Sequence, residues 1–413
     1  MDLRLLTFLA VLVFLDVYVF QAVRAWLFPY SQRWHRIGYG IYWGLSLFAF
    51  GLLLLNVFEV TDAWGKHTKN LIRAFLFLFW LCKVPVIAIL LIDDIRRGAT
   101  WLLNKVSPIK ERDVSRSRFL SAAALVAGGI PLATLTYGVV RNAYRYRRFA
   151  VDIPIENLPA GLEGFKIVQI SDMHSGSWTR SEPLKEAVKM INEENADVVC
   201  FTGDLVNNTA DEMLPFVKIF KEVRGKHGVY SVLGNHDYGD YVEWDSPEAK
   251  NANMESLYQV HRDLGWELLR DENRQLDING HKVAILGVEN WGNAFARFPQ
   301  KGDLAKAYRG GVEKCDCRIL LSHDPSHWDA RIRPGYPEID LTLSGHTHGF
   351  QFGIEIPGFL KWSPSQYIYK QWAGLYQKGK QYLYVNRGLG FLGYPGRVGI
   401  LPEITVLKLV RKS

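Results

Sequence analysis

Cysteine is scarce in this chain, with four in 413 residues, and that excludes the dense disulfide framework on which small secreted scaffolds depend. Cys82 falls in an apolar stretch and Cys200 in a predicted buried strand, so both read as small core residues. Cys315 and Cys317 flank Asp316, and a redox or metal pair there is the lesser reading. Charge is nearly missing from the long apolar runs that fill the chain before about residue 140; beyond about residue 151 the composition is that of an ordinary α/β domain. A basic and aromatic recognition module is missing too, so the formal charge of +7 does not point to nucleic acid. The basic residues crowd the connectors beside the apolar runs, where anionic headgroups are met.

A bilayer core needs about 20 mostly apolar helical residues. Four segments approach that length: 5–23, 37–58, 74–92 and 119–140. Arg96, Arg97, Lys105, Lys110, Arg112, Arg116 and Arg118 lie between the third and the fourth, against Lys66, Lys69 and Arg73 between the second and the third. Short cytoplasmic loops carry the excess of Lys and Arg. Four spans then put both termini outside, and the C-terminal part is expected on the extracytoplasmic side of the cell membrane. Arg141, Arg145, Arg147 and Arg148 argue the other way. Asp16 and Lys83 are costly inside a bilayer and mark either a functional site or, the reading preferred here, a pair joining two helices.

After residue 164 the chain alternates short apolar runs with helical periodicity at 184–195, 212–224 and 253–264, as an α/β fold does. Five of the runs, 166–170, 198–202, 229–233, 319–322 and 341–344, are each followed at once by a cluster of metal-binding side-chain types. The clusters are Asp172-Met173-His174, Gly203-Asp204, Gly234-Asn235-His236-Asp237, His323, and Gly345-His346-Thr347-His348. Ligands bind in the crevice outside the carboxyl ends of strands, so these clusters are expected to converge on one sheet edge. Asp172 and His174 are two apart, so on an extended strand end they point the same way. Carboxylate with imidazole suits Mn, Fe or Zn better than Ca. Gly203 leaves room for close approach beside Asp204.

The content and order of these blocks resemble the calcineurin-like metallophosphoesterases. The tail, Asn386-Arg387-Gly388-Leu389-Gly390 and Pro402-Glu403-Ile404, looks like the membrane-linked bacterial branch of that family. Phe350 departs from the pattern, standing where many members have glycine. The resemblance implies an N-terminal helical transmembrane region (1–141), a lead-in (142–164) and a C-terminal α/β metallophosphoesterase domain (165–413), a two-sheet sandwich flanked by helices. It also implies two divalent metal ions. Carried over residue by residue, the first would be held by Asp172, His174, Asp204 and His348, and the second by Asp204, Asn235, His323 and His346, with Asp204 shared.

Two ions roughly 3.5–4 Å apart hold a hydroxide for in-line attack at phosphorus. His236 is the expected catalytic proton donor, and Asp237 is expected to orient a neighbouring backbone or histidine ring. Arg387 and Arg397 are candidate guanidinium forks for a substrate phosphate, with a purely structural part for Arg387 as the alternative. His327 is a candidate at the substrate entrance; His227, His261 and His281 read as surface or packing residues. Trp178, Trp291, Phe295, Phe298, Phe350, Phe352, Phe359 and Trp362 offer apolar contacts. The expected activity is a membrane-anchored dimetal phosphohydrolase, cleaving a phosphoester or diphosphate bond in a phosphate-bearing small molecule or a lipid headgroup. The competing classes are a non-catalytic membrane sensor or scaffold and a small transporter with an accessory hydrolase domain.

Overall fold

A computed structural model describes residues 3–106, 113, 115–292, 300–356 and 358–412. Lys110, Arg112, Phe295, Phe298 and the Lys66 side chain, named above, lie outside the described residues. The chain divides into two compact units, Met1–Tyr137 and Gly138–Ser413.

The first unit is helical. Helices α1 (Leu3–Leu27), α2 (Gln32–Val57), α3 (Gly65–Leu81), α4 (Lys83–Val106) and α5 (Arg118–Val140) follow one another, α5 running on into the second unit. Among the described residues, four stretches are long and apolar enough to cross a membrane. The third differs from expectation: it extends over Thr68–Val106 and is broken at Cys82, inside the expected segment 74–92. Pro85 accounts for the break, since it has no N–H for the Leu81 carbonyl and its ring crowds that carbonyl.

Asp16 of α1 is fully buried and forms an ion pair with Lys83 of α4. The Lys83 ammonium also lies 3.6 Å from the centre of the Phe79 ring. One end of the unit gathers arginines around acids: buried Asp93 bonds Arg96 at 2.9 Å, and Asp94 bonds Arg97 and Arg116, each at 2.8 Å. A cavity of about 720 Å³ there is lined by Arg24, Arg96, Arg97, Arg116 and Arg118.

The second unit contains, among the described residues, two six-stranded sheets and a small hairpin. The strands are β1 (Arg147–Ile155), β2 (Lys166–Ile170), β3 (Val198–Phe201), β4 (Val229–Ser231), β5 (Glu267–Leu268), β6 (Glu272–Ile278), β7 (His281–Gly287), β8 (Cys317–Leu321), β9 (Leu341–Ser344), β10 (Ile354–Ile356), β11 (Leu360–Trp362), β12 (Gly374–Lys378), β13 (Gln381–Val385) and β14 (Glu403–Arg411). One sheet runs β1-β14-β2-β3-β4-β5 and the other β12-β13-β9-β8-β7-β6; β10 and β11 form the hairpin. Segment 142–164, expected as a lead-in, contains strand β1, which pairs in parallel with β14 along its whole length.

Strands β2 and β3 are buried on both faces, which is why they read as mostly apolar runs rather than alternating ones, with Gln169 of β2 the buried polar exception. Val198 and Cys200 face the layer between the sheets with Ile167, Ile285, Ile319, Leu341 and Leu407. Val199 and Phe201 face outward to Leu184, Val188 and Ile191 of helix α6 (Glu182–Glu193) and to Leu257, Val260 and Leu264 of helix α8 (Pro247–Leu264). The helix expected at 212–224 is instead a 3-10 stretch, Ala210–Phe216, followed by the single turn α7 (Val217–Phe220), because Pro215 interrupts the hydrogen-bond ladder. Helix α8 starts earlier than its periodicity implied. The Ser246 side chain caps it by accepting from the Ala249 N–H, and Pro247 follows at its first position.

The Asp16–Lys83 pair yields a measurable expectation. Asp16→Ala leaves a buried ammonium without its carboxylate, a loss of about 3–5 kcal/mol, and should lower the melting temperature of the detergent-solubilised protein. The paired replacement Asp16→Leu with Lys83→Met should recover most of that loss. A double variant no more stable than the single one would show that the pair does not hold α1 to α4.

Candidate dinuclear metal centre

The five clusters follow the carboxyl ends of β2, β3 and β4 in one sheet and of β8 and β9 in the other. The two edges are tied together: Gln169 of β2 donates its side-chain amide to the Ser344 carbonyl of β9 at 2.8 Å, and the His323 ring is 2.7 Å from the Thr202 carbonyl. Glycine makes the approach possible. A Cβ on Gly345 would stand 2.2 Å from the Asp172 carboxylate, and one on Gly203, at φ 96°, would stand 2.8 Å from His323 Nδ1.

Two groups of side chains result. In the first, ligand atoms of Asp172, His174 and His348 all lie within 4.8 Å of one another; in the second, those of Asp204, His323 and His346 do. His174 Nε2 is 3.0 Å from His348 Nε2, and His348 Nε2 is 3.3 Å from Asp172 Oδ1. In the other group His346 Nδ1 is 2.8 Å from Asn235 Oδ1 and 3.3 Å from His323 Nε2. Asp204 Oδ2 joins the groups, 3.1 Å from His323 Nε2 and 3.5 Å from His174 Nε2.

Electrostatics keep this cage anionic. Burial alone would raise the pKa of Asp204, but His323, His236 and His174 outweigh it and hold the carboxyl well below its usual range. For Asp172, burial is outweighed chiefly by His348, and the pKa falls to about 2. Burial pushes His174 down to about 3, which keeps that imidazole neutral. The pKa of His323 rises to about 10, because the Asp204 charge outweighs burial. Imidazole nitrogens 3.0 Å apart beside buried, ionised carboxylates form a donor set that suits a cation, one that would displace the proton held at His323, and imidazole with hard oxygen is the donor set of Mn, Fe or Zn. The residues present therefore fit divalent metal.

Neighbouring groups set the ring orientations. His323 turns Nδ1 to the Thr202 carbonyl, leaving Nε2 toward Asp204. His346 turns Nε2 to the Tyr369 hydroxyl at 2.7 Å and to Asp324 at 3.6 Å, leaving Nδ1 toward Asn235. The Asn235 amide nitrogen donates to the Tyr241 hydroxyl at 2.8 Å, which aims its oxygen inward. Asp237 accepts from four backbone N–H groups, those of Asp204, Leu205, Val206 and Gly234, so it holds two of the ligand loops together and no histidine ring. Asp172, His174, Asp204, His346 and His348 all have φ between 46° and 72°, a left-handed conformation that costs non-glycine residues of order 1–3 kcal/mol each.

His236 is half-buried beside these groups. Its N–H donates to Asp204 Oδ1 at 2.8 Å, its Nδ1 is 2.8 Å from the Asn207 carbonyl, and its ring centre is 4.9 Å from that of His174. The three expected substrate contacts stand elsewhere. Arg387 is buried, its guanidinium spent on Glu403 and Glu355, each at 2.5 Å, so it pins the tail instead of reaching for phosphate. Arg397 is fully buried; it donates to the Gly388 and Gly390 carbonyls and lies 3.2 Å from His348 Nδ1, behind the ligand rather than in front of it. His327 is buried with Nδ1 at 2.9 Å from Ser322 Oγ and its ring stacked on Trp291, where the two line a cavity of about 510 Å³. Trp178 is a core residue between Phe216 and Phe220.

Sequence reasoning missed Tyr241, Asp324 and Tyr369. The first two sit one to four residues beyond a recognised cluster and could have been sought there; Tyr369 stands 21 residues after His348 with no signal of its own.

Comparison with known proteins agrees with this geometry. The family model described as the transmembrane domain of probable calcineurin-like phosphoesterases matches residues 3–143, and the calcineurin-like phosphoesterase model matches residues 165–350. The uncharacterized metallophosphoesterase YkuE of Bacillus subtilis is 31% identical over 300 residues, 70% of this chain and 93% of the relative. A transmembrane protein with metallophosphoesterase domain from Danio rerio is 30% identical over 312 residues, 72% of this chain and 66% of the relative. Among solved structures, the sulfate thiohydrolase SoxB of Thermus thermophilus aligns at 13% identity over 59% of this chain and 56% of its own, with a TM-score of 0.34. Two matched domains, five strand-end clusters and two convergent ligand groups lead to one assignment: the chain belongs to the calcineurin-like metallophosphoesterases and is a membrane-anchored, metal-dependent phosphoesterase.

Proposed function

We propose that the centre hydrolyses a phosphoester or diphosphate bond in a molecule carried by the membrane. Asp172, His174, Asp204 and His348 would hold one divalent ion, and Asp204, Asn235, His323 and His346 the other. The observation that carries this reading is the position of Asp204 Oδ2 between one imidazole of each group, 3.1 Å and 3.5 Å away, as a shared carboxylate requires. Two ions bound there supply Lewis-acid polarisation at phosphorus and a nucleophilic water at neutral pH.

The protein's own groups then divide the remaining work. Asp204 balances charge on both sides of the centre while its Oδ1 fixes the His236 backbone. His236, held through Nδ1 by the Asn207 carbonyl, keeps Nε2 as its working nitrogen. When protonated there, it donates to the leaving oxygen, and no covalent enzyme intermediate is needed. A scaffold without catalysis is disfavoured because every expected ligand is present, and transport is disfavoured because Asp16 and Lys83 neutralise each other.

We further propose an extracytoplasmic catalytic domain. Arg24, Arg96, Arg97, Arg116 and Arg118 gather around one cavity, and the rule for short loops assigns that end to the cytoplasm. Helix α5, the fourth span, starts at Arg118 of that end, so the chain that follows it continues on the other side of the bilayer. Arg147 and Arg148 belong to β1, inside a folded domain of the kind that translocates largely regardless of charge.

Asp204→Asn should abolish hydrolysis and strip the metal, read by elemental analysis of the purified protein; full activity with two ions bound would overturn the shared-carboxylate reading. His236→Ala should keep both ions and slow turnover about 10²–10⁴-fold, the range of a positioned proton donor. Metal loss in that variant would make His236 a ligand instead. Protease added to sealed right-side-out vesicles should cleave the catalytic domain and spare it in inside-out vesicles, and the reverse pattern would place it in the cytoplasm.

A further inference from the structure

The segment between the metal ligand His348 and the supporting Tyr369 has its polarity inverted. Phe350, Ile354, Ile356, Phe359, Tyr367 and Ile368 are 56%, 48%, 48%, 84%, 76% and 58% exposed. In the β10–β11 hairpin Ile354 pairs with Trp362, Ile356 with Leu360, and Glu355 with Lys361. Side chains alternate across a strand, so the two charges share one face and the apolar residues the other. The charged face turns toward the domain: Glu355 accepts from Arg387 at 2.5 Å, and the Lys361 ammonium donates to the Ala373 carbonyl, 4.9 Å from the centre of the Trp372 ring. A hairpin facing water keeps the opposite arrangement, polar out and apolar in.

The segment is also built in firmly. Gly353 N–H donates to the Val398 carbonyl at 2.9 Å, and Ser363 Oγ donates to the Gly349 carbonyl at 2.8 Å. Phe350 and Gln351 hold left-handed backbone at φ 57° and 56°, a strained geometry for a bulky aromatic. Gln351 is locked by donating to the Leu392 and Tyr394 carbonyls. At its far end Tyr369 contacts His346. An apolar surface is thus fixed to the rim of the metal centre at both ends.

The chain itself names the occupant. Only residues 141–146 separate the end of α5 at Val140 from the start of β1 at Arg147, a reach of about 20 Å at full extension. The bilayer crossed by the apolar helices is the nearest large apolar phase. Tyr367 and Trp362 are the residue types that settle at a membrane interface. We infer that the outward face of the 350–368 segment docks into the headgroup and acyl boundary of the bilayer, so that the metal centre takes phosphate groups on lipid held in that bilayer. The substrate half of this inference rests on the phosphohydrolase reading above; the docking half does not.

The test uses the full chain in lipid nanodiscs. A nitroxide on Phe359→Cys should be more accessible to oxygen than to a water-soluble nickel chelate; the reverse order, or spin–spin broadening from a second copy, overturns docking. With phosphatidic acid in the disc, Ile356→Ser with Leu360→Ser should lower kcat/KM about tenfold or more, while turnover of soluble bis-p-nitrophenyl phosphate stays within about twofold. Ile356→Leu with Leu360→Ile should restore the lipid reaction. Equal loss on both substrates would make the segment a structural element of the centre and overturn the inference. Protein labelled at Phe359→Cys but otherwise unchanged, whose nitroxide reports the bilayer and which cleaves neither substrate, would overturn the phosphohydrolase reading and leave docking standing.

Discussion

The catalytic unit is organised around a buried carboxylate, Asp204, that meets an imidazole on either side. Leaving an ionised acid out of water is costly unless it is paired and hydrogen-bonded, and here its neighbours supply both. His323 and His174 face one oxygen, and the His236 N–H binds the other. The residue's own N–H is taken by Asp237, which also holds Gly234. Removing the pairing would leave charge stranded between two sheets, so the ligand loops and the sheet edges have to fold as one arrangement.

That constraint explains features that look unfavourable in isolation. Five ligands accept left-handed backbone, and glycine sits where a methyl group would collide with a carboxylate or a ring. Layers of Ile, Val and Leu between the sheets and beneath α6 and α8 supply the burial that offsets such strain. The tail closes the site from behind: Arg387 ties Glu403 to Glu355, and Arg397 fills the space behind His348. Both arginines look like phosphate ligands in the sequence, since a guanidinium fork suits any oxyanion. The partner chosen is an internal carboxylate or carbonyl because those groups are already buried at the same place.

Much of the fold was legible. Strands buried on both faces read as mostly apolar runs, and each stopped within a few residues of a cluster of Asp, Asn or His. Less visible was the inclusion of β1 in the sheet, because its partner β14 lies more than 240 residues downstream. The breaks at Cys82 and within 212–224 trace to Pro85 and Pro215, both in plain view but overridden in the reading by long apolar periodicity. Tyr369 carries no local pattern, and only folding brings it and Asp324 to His346.

By itself the sequence determined the residue types, their order along the chain and the strand ends that carry them, since side-chain period and chain polarity are local properties. It also determined that long apolar segments precede the domain. The tertiary structure alone decided how closely the two ligand groups approach each other, which nitrogen of each imidazole turns inward, and which face of the β10–β11 hairpin turns away from the domain. Those outcomes depend on contacts between residues far apart in the chain, where burial and hydrogen-bond partners, rather than local preference, select the arrangement.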